Sequence, residues 1–194
     1  MQRIWLYNGM DGGKTVSRAF VDDDAPDATL DEAPEIKLPV PAGSRNYVTP
    51  EGAAALAEEL TRLELEELPR LQVEIEKASR DATGTDRLAA LRRESARAYR
   101  RAEYLGRMAA IAETVHAPDG GYTRVAFGAT VTVRDADGME RRYRIVGVDE
   151  ADPDSGLIGW RSPIARALMG RRPGDRTTAH LPESELVLTV VALE

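Results

Sequence analysis

The sequence predicts an α+β protein: an antiparallel coiled-coil helical hairpin followed by a small β-rich domain with one short helix. Three observations carry this. Apolar residues recur at steps of three and four in two long runs between Thr49 and Val115. Beyond Gly121 the pattern changes to β-formers and to alternation. Pro, Gly and hydroxyl residues stand where one pattern gives way to the next.

Residues 1–46 hold Asp22, Asp23 and Asp24 with Pro26, Pro34, Pro39 and Pro41 and show no apolar period. Such a segment buries too little apolar area to offset its ordering entropy and reads as a flexible acidic tail. The hairpin occupies 47–117. Thr49 suits an N-cap and Pro50 the first helical position. Leu56, Leu60, Leu63, Leu71, Ile75 and Ala78 form one seam, with Pro69 expected to kink it. After the tip, Leu88, Leu91, Ser95, Ala98, Ala102, Leu105, Ala109 and Ala112 form the other. The first helix is rich in glutamate and the second in arginine, so antiparallel pairing sets acid against base along the flanks. At 1.5 Å per residue, helices of about 30 residues extend roughly 45 Å.

Residues 118–194 form the β-rich domain. Val125 to Val133 is one strand region, and Asp135-Ala-Asp-Gly138 signals a hairpin turn. Arg142 to Val148 and Leu157 to Trp160 are further strands. Ser162 and Pro163 open a helix that Gly170 closes, and the last strand region ends in Leu186 to Ala192.

Composition narrows the function classes. The 194 residues carry a net charge of −7, which argues against binding nucleic acid with the whole surface. Without cysteine the chain has no disulfide, thiolate metal site or thiol nucleophile. His116 and His180 are the only imidazoles, and neither has a neighbouring ligand in sequence. The beginning lacks the apolar run of a secretory signal, and no stretch reaches bilayer length. The expectation is a cytoplasmic monomer with no membrane association.

Two groups of residues invite a site. At the hairpin tip, Asp81 and Asp86 are the only carboxylates in Ser79-Arg-Asp-Ala-Thr-Gly-Thr-Asp-Arg87. They read either as a pair converging across Gly84 or as a turn residue and a helix N-cap. In the β-rich domain, Asp149, Glu150 and Asp152 read as an acidic loop closed by Pro153 and Gly156.

The stretch Phe127-Gly-Ala-Thr-Val-Thr-Val133, then Tyr143-Arg-Ile-Val-Gly147, Asp149-Glu-Ala-Asp152 and Ser162-Pro-Ile-Ala-Arg-Ala-Leu-Met-Gly170, closely resembles the C-terminal domain of the Gre family of bacterial transcript cleavage factors. Val48-Thr-Pro-Glu-Gly52 and Gly106-Arg107 resemble the same family, so the likeness covers about residues 47–194 and omits the tail. It implies an FKBP-like base on the rim of the RNA polymerase secondary channel and a coiled-coil arm inserted toward the active site. Asp149, Glu150, Asp152, Ser162, Pro163 and Arg166 would then face the polymerase, and Arg87, Arg92, Arg93 and Arg97 would form a basic strip near the RNA.

The family acts through an Asp-x-x-Glu type pair at the arm tip, which helps hold the second Mg²⁺ of the polymerase. In this chain the corresponding catalytic residues would be Asp81 and Asp86, five apart, which is not the family spacing. The implied protein has no metal or cofactor of its own, shares Mg²⁺ with the polymerase, and meets the nascent RNA 3′ end and DNA only within the elongation complex. It is a cleavage-stimulating factor, not itself an enzyme; the alternative is a regulator of the same channel without cleavage activity. A peptidyl-prolyl isomerase is a third reading, weakened by aromatics at only 5%.

Overall fold

The computed structural model describes residues 36–80 and 85–194. Asp81 of the tip pair lies outside these residues.

Helix α1 (Pro50–Arg62) begins as its sequence dictates: the Gly52 N–H donates to Thr49 Oγ1 at 3.0 Å, and Pro50 sits where a missing N–H costs nothing. A π-helical turn (Leu63–Glu67) joins it to α2 (Leu68–Ser79). Pro69 cannot donate to the carbonyl four residues back, and the Leu68 N–H reaches five residues back to Leu63 instead. The proline is thus absorbed by a wider turn within a continuing helical run.

Helix α3 (Thr85–Ala110) runs antiparallel to this stretch, since Arg101 meets Glu59 and Arg70 meets Glu94. Leu63, Leu71, Ala78, Leu91, Ala98, Ala102 and Leu105 are buried together, with Leu56, Leu60, Leu68, Ile75 and Leu88 packed against them. The predicted seam departs from the structure at its end. Helix α3 stops at Ala110, Ala112 is exposed in a strand, and Met108 is fully buried in place of Ala109.

That strand, β2 (Ala112–Thr114), pairs in parallel with β1 (Asn46–Val48) and closes the root of the two helices. Val40 and Asn46, both within the span 1–46 read as a tail, are buried. The reason is non-local: the partner of β1 lies 66 residues away (Asn46 opposite Ala112), and nothing in 36–46 announces it.

The base holds five strands in the order β5-β4-β3-β7-β6. Strands β3 (Thr130–Asp135) and β4 (Glu140–Val146) form the predicted hairpin, in which Asp135 Oδ1 accepts the Asp137 and Met139 N–H groups and Gly138 takes a φ of 83°. Only Thr130 to Val133 of the expected first strand lies in β3; Val125 is buried in the approach to it and bonds to Gly170 and Arg171 instead. A loop with a 3-10 turn (Pro153–Ser155) leads to β5 (Leu157–Gly159), parallel to β4. Helix α4 (Pro163–Leu168) has Ser162 accepting the Ala165 N–H at 3.1 Å. Strands β6 (Arg176–His180) and β7 (Glu185–Leu193) complete the sheet. Val131, Val133, Tyr143, Ile145, Leu188 and Val190 project from one sheet face onto Ala165 and Leu168 of α4. The fold is therefore α+β. No helix among the described residues is long and apolar enough to cross a membrane.

Leu71 is fully buried in the helical seam, so Leu71→Ala is expected to cost about 2–5 kcal/mol. Leu105→Asp places a charge in the same seam and is expected to open the pair. Met139→Ala, at a residue 62% exposed in a turn, should stay within about 0.5 kcal/mol. Urea unfolding followed by helical circular dichroism compares them; equal midpoints for Leu71→Ala and Met139→Ala would refute the seam.

Candidate functional site: the junction of the helices with the base

The acidic loop emerges from β4 directly beneath the N-terminus of α1. Glu150 accepts the Thr49 backbone N–H (2.9 Å) and the Gly147 N–H (3.0 Å) on Oε1, and the Thr49 hydroxyl donates to its Oε2. The neighbouring Asp149 accepts the Tyr104 hydroxyl of α3 at 2.5 Å. Arg144 of β4 reaches Glu51 at 3.2 Å. Tyr47 completes the junction on its apolar side, 5.5 Å from Trp160 edge-to-face and 6.2 Å from Phe127. Asn46 donates its amide to the Met108 carbonyl near the end of α3 (3.4 Å), one of the orphan acceptors a helix end leaves.

In this structure the acidic side chains of the loop are engaged within the chain. Glu150 is half-buried with both oxygens engaged inside the chain, and Asp149, although exposed, already has a partner. Asp152 precedes the 3-10 turn, its Oδ2 accepting the Ser155 hydroxyl at 2.5 Å, and its backbone bridges to Leu157. Ser162 and Pro163 start α4 and connect back to the loop through Gly159, whose carbonyl accepts the Ser162 N–H at 2.8 Å. A Cβ on Gly159 would stand only 3.6 Å from that of Ala151 in the loop. Arg166 is exposed on α4 and makes no ion pair among the described residues. The six residues thus share a region, but five of them have structural duties there.

Arg87, Arg92, Arg93 and Arg97 are all exposed on α3. They do not form one strip: at about 100° per residue, Arg93 and Arg97 share a face with Arg100, while Arg92 and Arg87 point about 100° or more away from Arg93. The expected ladder of glutamates against arginines is also sparse. Arg101 grips Glu59 with two bonds of 2.8 Å, whereas the second cross-helix pair, Arg70 with Glu94 at 3.5 Å, has the opposite sense. Other pairs lie within one helical run, such as Arg62 with Glu67, Arg80 with Glu76, and Arg107 with Glu103. Asp86 is exposed inside the first turn of α3, where helix polarity favours an anion, and is not the N-cap residue. His116 and His180 are exposed; His180 lies 3.0 Å from Glu185. No group of three or more His, Cys, Asp or Glu able to hold a metal occurs among the described residues.

Burial, aided by the bond to Asp149, pushes the Tyr104 phenol well above its ordinary value, and Arg101, 5.5 Å from the ring centroid, opposes that rise. The Arg101 guanidinium bonded to Glu59 holds that carboxyl below the usual carboxylate range. Sequence reasoning missed Thr49, Gly52 and Tyr104 as partners of the loop. One signal was visible: Gly52, a poor helix former early in a helix, marks a place where something approaches closely.

Residues 118–194 match the family described as "Transcription elongation factor, GreA/GreB, C-term". The chain is 37% identical over 152 residues to "Transcription elongation factor GreA" of Alkalilimnicola ehrlichii, covering 76% of this chain and 96% of that protein. It is 32% identical over 152 residues to the GreA of Desulfovibrio desulfuricans, covering 75% and 91%, and 32% identical over 154 residues to "Transcription elongation factor GreB" of Neisseria meningitidis serogroup A, covering 78% and 94%. Among solved structures, Thermus aquaticus Gfh1 is 24% identical and covers 77% of this chain and 98% of that one, with a TM-score of 0.37. The chain belongs to the GreA/GreB family of transcription elongation factors.

Because Glu59 has a depressed pKa in the folded chain, the stability from its pair with Arg101 is present above the ordinary carboxylate range and is lost as pH falls through the depressed value. Both side chains are about a third or more exposed, which limits the pair to about 0.2–1 kcal/mol. Thermal melts of Glu59→Gln against the parent should differ at pH 7 and converge on acidification. A difference that persists undiminished in acid would show that the carboxylate charge is not what counts.

Proposed function

We propose that the chain is a Gre-type elongation factor that binds bacterial RNA polymerase at the secondary channel and stimulates cleavage of backtracked nascent RNA. Family membership supports this reading, and the observation that carries it is the antiparallel pair of long helices rooted on a compact sheet domain. Helix α3 alone, at 26 residues, is about 39 Å long. In this reading the helices form a coiled-coil arm that enters the channel, and an FKBP-like base holds the rim. The Mg²⁺ and the phosphodiester belong to the polymerase, so the chain is an accessory factor and not an enzyme. The RNA 3′ end and DNA come within reach only inside the elongation complex, where Arg93, Arg97 and Arg100 would be the arginines on a shared face. The cytoplasm is where such a factor works.

A tip carboxylate of this chain would help hold the polymerase's second Mg²⁺ and orient the attacking water. Among the described residues at the end of the helices, Asp86 is the one carboxylate without an ion pair within them, since Glu76 is engaged by Arg80. That composition favours a second reading: a factor that docks in the same channel and regulates the polymerase without cleavage.

Purified chain added to stalled elongation complexes separates the two. Under the first reading the parent shortens transcripts about tenfold faster than polymerase alone, and Asp81→Asn with Asp86→Asn removes that gain while leaving binding nearly intact. A parent that binds the complexes but leaves their RNA at full length, at every Mg²⁺ concentration, decides for the second. Failure to bind the polymerase at all sinks both.

A further inference from the structure

We propose that Asp149 and Glu150 form a two-pronged bracket that sets the angle of the helical arm on the base, making Glu150 a positioning residue rather than a docking one. The inference concerns the conformation of the free chain and does not depend on the proposed function.

The seat for Glu150 is built from both sides. A Cβ on Gly52 of α1 would stand 2.1 Å from the Glu150 carboxyl carbon, and a Cβ on Gly147 would stand 2.5 Å from its Oε1 and 2.8 Å from the Tyr47 carbonyl. Only glycine leaves room for the carboxylate at either place. Within that seat, Thr49, 1% exposed, presents both its backbone N–H and its hydroxyl. The same hydroxyl oxygen accepts the Gly52 N–H, so the carboxylate and the helix N-terminus form one hydrogen-bonded unit. An anion there is also favoured by the polarity of α1.

The second prong acts on the other helix. Asp149 holds the Tyr104 hydroxyl of α3, so two adjacent residues of one loop grasp α1 and α3 separately. Tyr47 packs against Trp160 and Phe127 at the same junction, and a single polar contact beside it would leave the arm room to turn; hydrogen bonds to both helices remove that freedom. The lever is long. From Tyr104 to Thr85 is about 29 Å along α3, so a change of about 10° at the root displaces the far end by about 5 Å. The Arg144–Glu51 pair at 3.2 Å is exposed and screened, and cannot replace the bracket.

Absence of native cysteine allows a direct measurement on the full chain. Ala96→Cys on the exposed side of α3 and Ser184→Cys on the base carry spin labels, and electron–electron double resonance reads their distance distribution. The parent should show one narrow distance, and Thr49→Ser, which keeps the hydroxyl, should match it. Glu150→Gln, which turns an acceptor into a donor, and Gly52→Ala, which fills the seat, should each at least double the width of the distribution. Tyr104→Phe, losing one prong, should broaden it less. Helicity should stay near the parent in all four, while the melting temperature should fall by a few degrees in Glu150→Gln and Gly52→Ala. Distributions as narrow as the parent's in both Glu150→Gln and Gly52→Ala would overturn the proposal. So would a common loss of helicity and melting temperature, which would make these residues general stabilisers.

Discussion

The Glu150 carboxylate meets three polar groups that the fold has removed from bulk water, and much of the junction depends on that meeting. Thr49 is buried, so its N–H and hydroxyl, together with the Gly147 N–H, would otherwise be left without partners. Each buried donor left unsatisfied costs about 1–3 kcal/mol, more than an average hydrogen bond contributes. The carboxylate therefore does two jobs with one set of bonds: it completes the cap of α1 and ties the helices to the sheet. Two glycines are needed for it to fit, and one of them stands in a helix that would gain from alanine.

The helices themselves are held by apolar contact rather than by charge. Leu63, Leu71, Leu91 and Leu105 are nearly or fully buried, whereas the ion pairs along the flanks are exposed and contribute little. Small residues at Ser95, Ala98 and Ala102 let the two backbones approach, as interdigitated helix packing demands. Pro69 does not break this contact because the preceding residues widen into a π-helical turn and the buried face resumes at Leu71.

Family membership and tip composition bear on different parts of the molecule. The specific motifs run through the base, where Tyr143, Ile145 and Leu168 are core and Ser162 starts a helix. They account for the fold and for the way the base and helices join. The cleavage activity proposed above would rest on a few carboxylates at the far end of the helices, which the packing of the base does not specify. The scaffold is compatible with either proposed role, because function resides in the site and not in the fold.

Local signals were legible from the residues alone: the Thr49–Pro50 and Ser162–Pro163 helix starts, the Asp135–Gly138 turn, the apolar seams and the change from helix to strand period. Each depends on neighbours within a turn or two, so the sequence states it directly. What the tertiary structure decided was non-local. The pairing of β1 with β2, the burial of Val40 and Asn46, the replacement of Ala109 by Met108 and the meeting of Glu150 with Thr49 all join residues far apart in the chain. Read in isolation, Asp149-Glu-Ala-Asp152 is a solvated acidic loop, because charges next to proline and glycine favour water. The Gly147 N–H is a local donor, but the others lie 101 residues away at Thr49 and 45 away at Tyr104, beyond the reach of any local pattern.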